Sequence, residues 1–227
     1  TSVQIAAFGP NQFSVLSSAQ IASLNTASVA GLTKEQIAGL NSAQVQGLTS
    51  TTINALRLAL LGAITSDQVS RLTTATVAGL TSQSLGALSA VQMSGLTSAQ
   101  ISAMSTAQIA SLGASKIGAM TTSALSALTS AKLPGLTTLQ MAGLTSTQLF
   151  SLKTAQLAAL SSTQIASVST EAFNALGTGQ VAALTTAQIS ALTTKQIANM
   201  ETADLAAMTT AQIASLTTDQ ILALTTE

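Results

Sequence analysis

The 227-residue sequence contains no cysteine, histidine, tryptophan or tyrosine, and only 2% of it is aromatic. Those absences remove thiol and imidazole catalysis, thiolate and imidazole metal ligation, and the aromatic platforms on which nucleic-acid bases stack. Charge is equally scarce. Only 6% of residues are charged, with seven basic side chains balancing seven acidic ones, against about 25% in an ordinary soluble domain. Neither nucleic acid nor an anionic membrane finds an electrostatic footprint here. Long apolar runs are missing too. Mean hydropathy is +0.51, yet Thr, Ser or Gln interrupts every few positions, so no stretch approaches the roughly 18 to 20 apolar residues of a membrane-spanning helix. The absence of cysteine is compatible with any redox compartment. The chain opens at Thr1 without a basic segment followed by an apolar one, so whatever preceded it is expected to have been removed by processing or excision.

What is present is a period of eight that never slips. Every eighth residue from Phe8 through Leu16, Leu24 and Leu32 to Met208, Leu216 and Leu224 is large and apolar, 28 positions in all. A second column, from Ile5 through Phe13 and Ile21 to Ile213 and Ile221, is apolar at all 28 of its positions. The consensus is Thr-Thr-Ala-Gln-Ile-Ala-Ala-Leu, as in residues 209–216.

One continuous helix cannot carry this period. Eight residues of α-helix advance about 800°, so successive Leu positions would drift about 80° and wind round the whole surface. Counting two or three turns per octad gives about 4.0 or 2.67 residues per turn, outside the 3.5 to 3.67 of coiled coils. The helix must therefore stop and restart in every octad.

The restart signal is written after each Leu. That position is Thr, Ser or Asn in 23 of 29 octads, including Thr1, Ser17, Asn25, Thr33, Asn41, Thr185 and Thr217, the residues whose side chains accept a backbone N–H as helix N-caps. Gly9, Gly113 and Gly177 are tolerable substitutes. Gln follows three residues later in 18 of 28 octads, completing a capping box, and the two apolar columns fall at N′ and N4, the positions of a hydrophobic staple. Pro10 stands at N1, where its missing N–H costs nothing, and Glu35, Asp67, Glu171 and Asp219 stand at N2, where the helix dipole favours negative charge.

The expected fold is all-α: a solenoid or superhelix of short capped helices, one per 8-residue repeat, spanning residues 1–227 as a single repeat domain. Helices of five or six residues are too short to persist alone, so they must pack on their neighbours. The residue before each Leu is Gly, Ala or Ser in 25 of 28 octads, which lets backbones approach closely. In this reading Leu and Ile face a continuous core and a Thr/Ser/Gln edge faces water. A β-solenoid is the alternative, supported by Thr and Ile. It is disfavoured because columns an odd number of residues apart face opposite sides of a strand, and because Ala, Leu and Gln favour helix.

Irregular octads cluster near 51–88 and 113–136. Between Ile53 and Ile64, Arg57 replaces the cap and Leu60 replaces Gln, so one merged helix is expected there, with Arg57 and Arg71 solvated or lying along the surface rather than forming an anion site. Pro134 lacks the N–H that a helix interior needs, so octad 129–136 should be distorted. At Lys153 and Glu201 the following Thr154 and Thr202 are expected to serve as substitute caps. Lys116 and Lys132, at Gln positions, read as surface substitutions.

No catalytic, cofactor-binding or metal-binding residues are expected. Glu201 and Asp204 share the first turn of one helix, where dipole compensation accounts for them better than metal binding does. The hydroxyls are many, but no His or obvious Lys base stands ready to activate one, and the glycines form no phosphate loop. Capping accounts for the Gln column better than a ligand-facing ladder does.

The motif Leu-Thr-Thr-Ala-Gln-Ile-Ala-Ala, most regular over residues 184–224, resembles the tandem octapeptide arrays of long bacterial secreted or cell-surface proteins. The resemblance implies an extracellular or surface setting and a non-enzymatic structural role as a stalk, spacer or filament-forming segment. A surface-binding module for ice or glycan, using the Thr-rich face, is the alternative. No terminal octad looks like a polar cap; the first is regular, and Glu227 falls inside a further cap segment. The expectation is therefore a segment of a longer array, or end-to-end stacking with copies of itself, with flanking repeats or copies as partners and no cofactor, small-molecule ligand, nucleic acid or membrane insertion.

Overall fold

The computed structural model describes residues 1–224; Glu227, read above as part of a further cap segment, lies outside them. Among the described residues there are 27 α-helices of four to seven residues and one short 3-10 helix, with no strand. The chain divides into two compact units, residues 1–112 and 113–227.

Each regular octad folds as its capping signals dictate. In the helix Lys34–Ala38, the Thr33 side chain accepts from the Gln36 N–H at 3.2 Å while Gln36 Oε1 accepts from the Thr33 N–H at 3.0 Å. The box satisfies two of the donors that a helix start leaves orphaned. At the other end the Leu column leaves the helix. Leu48 and Leu88 have extended backbones, with ψ of 125° and 139°, and the caps that follow them are extended as well. Two consecutive extended residues thus turn the chain between helices, and no described residue needs a positive φ to do so.

Within each unit the octads stack as a solenoid. In the first, the helix Ser18–Ala22 packs on Ser42–Gly47, and Thr74–Ala78 on Ser98–Ala103. In the second, Ser162–Ala166 packs on Thr186–Ala191, and Thr194–Ala198 on Thr218–Leu224. Each pair lies three octads apart. The Ile and Leu columns fill the interior, with Ile37, Ile101, Ile165 and Ile189 all at 0% exposure.

Four local expectations are corrected. The helix between Ile53 and Ile64 is not merged: Ser50–Ala55 ends, Leu56 and Arg57 are extended, and Leu58–Leu61 starts anew. Arg57 supplies no cap, but its guanidinium donates to the Ala30 carbonyl 27 residues earlier at 2.7 Å, so a contact between coils marks the break that the local sequence fails to signal. Lys153 and Glu201 themselves occupy the N-cap positions, and Thr154 and Thr202 are the first helical residues. Stacking holds the eight-residue register against the better local cap. The Gln column does not face water, since Gln44, Gln140, Gln188 and Gln196 are each 1% exposed. Lys116 and Lys132, at Gln positions, are half-buried. Pro134 behaves as its chemistry requires: its octad holds only the 3-10 turn Leu133–Gly135.

Candidate functional site

The most elaborate polar surface of the molecule is the one by which a coil sits on the coil before it. Its repeating element is the Gln of each octad. Gln100 Nε2 donates to the carbonyls of Val69 at 2.8 Å and Leu72 at 2.7 Å, 31 and 28 residues earlier. Gln68 does the same to Ile37 and Leu40, Gln188 to Leu157 and Leu160, and Gln220 to Ile189 and Leu192. With Oε1 already accepting the cap N–H, both ends of the amide are used. Both acceptors are carbonyls at a helix C-terminus: the first, as in Val69, already accepts the N–H of the Leu three residues on, and the second, that of the Leu itself, is one that a short helix leaves over. Helices three octads apart touch, and each Gln reaches back to the fourth, so one coil takes between three and four octads.

Where Gln is replaced, the substitute can still cross the gap. Thr76 Oγ1 donates to the Leu48 carbonyl at 2.8 Å. Small residues set how closely the coils approach. A Cβ added to Gly31, Gly47 or Gly95 would collide with the backbone of Ser2, Ser18 or Ser66 respectively, in each case a residue of the preceding coil. These glycines are required by a backbone in close approach and not by an unusual φ.

The outer octads show the two faces of this surface. Gln4, Gln12 and Gln20 are exposed, whereas the column's Gln residues from Gln36 onward are buried except Gln180, which is half-buried. Toward the other end, no described glutamine reaches a carbonyl beyond Leu192, and Ile213 and Ile221 are each 44% exposed although their counterpart Ile189 is at 0%. One face offers amide donors and the other offers carbonyls and apolar side chains.

The charged residues weighed above do not assemble into a reactive site. Arg71 forms a bidentate pair with Asp67 at 2.9 and 3.2 Å, which raises the guanidinium pKa, while Arg57 serves the Ala30 carbonyl. Glu35, held below the usual carboxylate range by its own backbone N–H, then the Thr33 hydroxyl and Lys34, is fully exposed. Asp204 is different: it is 4% exposed, and burial, then the like charge of Glu201, push its carboxyl pKa up. Sequence reasoning accounted for it by the helix dipole and missed its burial. Among the described residues no three His, Cys, Asp or Glu side chains are grouped as a metal site, and no helix is long and apolar enough to cross a membrane.

The family model described as the ALTTAQ repeat matches residues 5–42, 18–50, 170–200 and 197–227. Both irregular clusters, 51–88 and 113–136, lie outside the matched segments. No curated protein matches the chain.

Proposed function

Starting from a tandem octapeptide array that carries ALTTAQ repeats, we propose that this is a non-enzymatic structural protein, a stalk, spacer or filament-forming segment that works by stacking coil on coil. The observation that supports the reading is the Gln ladder. Within each unit, wherever the Gln is present, it gives successive coils the same pattern, with donors on one side and acceptors on the other. Such a head-to-tail surface does not close on itself, and a non-closing heterologous contact extends into a filament. Whatever adjoins the outer faces, further octads of the same chain or another copy, meets the same pattern. Low net charge gives little repulsion against assembly.

The partners in this reading are flanking repeats or copies of the chain, with no role for nucleic acid, a small-molecule ligand or a cofactor. An extracellular or cell-surface setting in a bacterium rests on the resemblance of the repeat alone.

Electron microscopy and light scattering across a concentration series test the reading. Elongated particles that lengthen with concentration are expected, and the triple variant Gln4→Glu, Gln12→Glu, Gln20→Glu should shorten them while keeping its helical circular dichroism. A chain that stays monomeric at high concentration, or a variant that assembles as the parent does, overturns it.

A further inference from the structure

Asp204 occupies the Gln position of its octad, and Ser84 occupies the same position of its own. Asn174 precedes Asp204 at the same sequence separation as Asn54 precedes Ser84. The Asn54 site shows the arrangement complete. Its Nδ2 donates to the Gly79 carbonyl at 3.0 Å, and its Oδ1 accepts from the Ser84 hydroxyl at 2.8 Å and from the Thr81 N–H at 3.0 Å. Asn174 repeats the first half of it. Its Nδ2 donates to the Asn199 carbonyl, again 25 residues ahead, at 2.6 Å, and this bond settles which way round the amide lies. Its Oδ1, however, is buried without a partner, alone in this among the described side-chain atoms. By the register of the Asn54 site, two groups belong opposite that oxygen: the Glu201 N–H, which stands where the Thr81 N–H does, and in place of the Ser84 hydroxyl the side chain of Asp204, itself buried.

A carboxylate cannot fill the role of the Ser84 hydroxyl, because it only accepts; a carboxylic acid can, because it carries one O–H. We propose that Asp204 is a proton-operated latch between coils: as the neutral acid it donates to Asn174 Oδ1, and as the carboxylate it repels that oxygen and loosens the helix Thr202–Ala207. The surroundings favour the neutral form. The helix Thr178–Ala182 packed against it carries no ionisable side chain. Glu201, on the same turn, adds a like charge. Glu171 and Lys195, on the helices Thr170–Asn174 and Thr194–Ala198, are exposed. Burial and Glu201 raise the carboxyl pKa above its ordinary value, so the folded state binds the proton more tightly than the unfolded chain does. The latch therefore contributes its full stability at low pH and loses it as pH rises through the raised pKa.

Carboxyl-carbon NMR titration of the full chain tests this, together with thermal unfolding against pH. The Asp204 titration midpoint should lie above the ordinary aspartate value, and Asn174→Ala should move it downward, a response that burial alone would not produce. Asp204→Ser, which copies the Ser84 site, should remove the component of the Tm that falls with rising pH in the parent. A midpoint at the ordinary aspartate value, a midpoint indifferent to Asn174→Ala, or a serine variant with the parent's pH profile overturns the latch. Should Asn174→Ala fail to fold, the serine variant and the parent titration still decide.

Discussion

Gln188 Nε2 lies 2.7 Å from the carbonyl oxygen of Leu160, 28 residues earlier in the chain. The bond joins a side chain that caps its own helix to a backbone group that another helix leaves over, so a local signal and a long-range contact are made by one amide.

Removing that amide tests the double role. Gln188→Ala leaves the buried Leu160 carbonyl without this donor, while Leu157 still accepts the Leu160 N–H; at about 1 to 3 kcal/mol for a buried group left unsatisfied, and about 0.5 to 1 kcal/mol for the lost cap bond, it should destabilise the fold by roughly 2 to 4 kcal/mol. Gln20→Ala removes an exposed Gln that caps its helix and should cost only about 0.5 to 1 kcal/mol. Denaturant unfolding of the two variants gives the comparison; equal losses would mean that the ladder contributes nothing.

The glycines divide in the same way. Gly47→Ala places a Cβ against the Ser18 backbone and should destabilise by about 1 to 3 kcal/mol through overpacking. Gly86 lies inside the helix Ser82–Ala87 and has nothing within 4 Å of an added Cβ, so Gly86→Ala should stabilise by roughly 0.4 to 1 kcal/mol. Thermal melts of opposite sign are expected.

Core truncations should scale with burial. Ile189→Ala, at a site with 0% exposure, should cost about 2 to 5 kcal/mol. Ile213→Ala, at 44% exposure, should cost clearly less in dilute samples. If the stacking proposal holds, Ile213→Ala also weakens assembly, which sedimentation over a concentration series would register.

One stabilising change follows from the caps. Lys153 stands at an N-cap with no side-chain acceptor to offer, and Lys153→Thr should raise stability by about 1 kcal/mol, read as a higher Tm. An unchanged Tm would show that stacking already holds this helix start as firmly as a cap can.

Much of this protein was determined by sequence alone. The period, the all-α class, the start of nearly every helix and the two apolar columns follow from forces that act within four residues: Thr33 capping Gln36, Leu columns at staple positions, Pro134 withholding an N–H. The same local reasoning failed wherever the partner lies a whole coil away. It merged Leu56 with Leu58, because the Ala30 carbonyl that receives Arg57 is invisible in a window of eight. It moved the caps from Lys153 and Glu201 to the neighbouring Thr. It placed the Gln column in water, and it explained Asp204 by its own helix while Asn174 stood in the preceding coil. Only the tertiary structure decided how many octads make a coil, and therefore which residues meet across the gap. That number depends on small rotations at each extended Leu-cap junction added over three to four octads, and no single octad contains their sum.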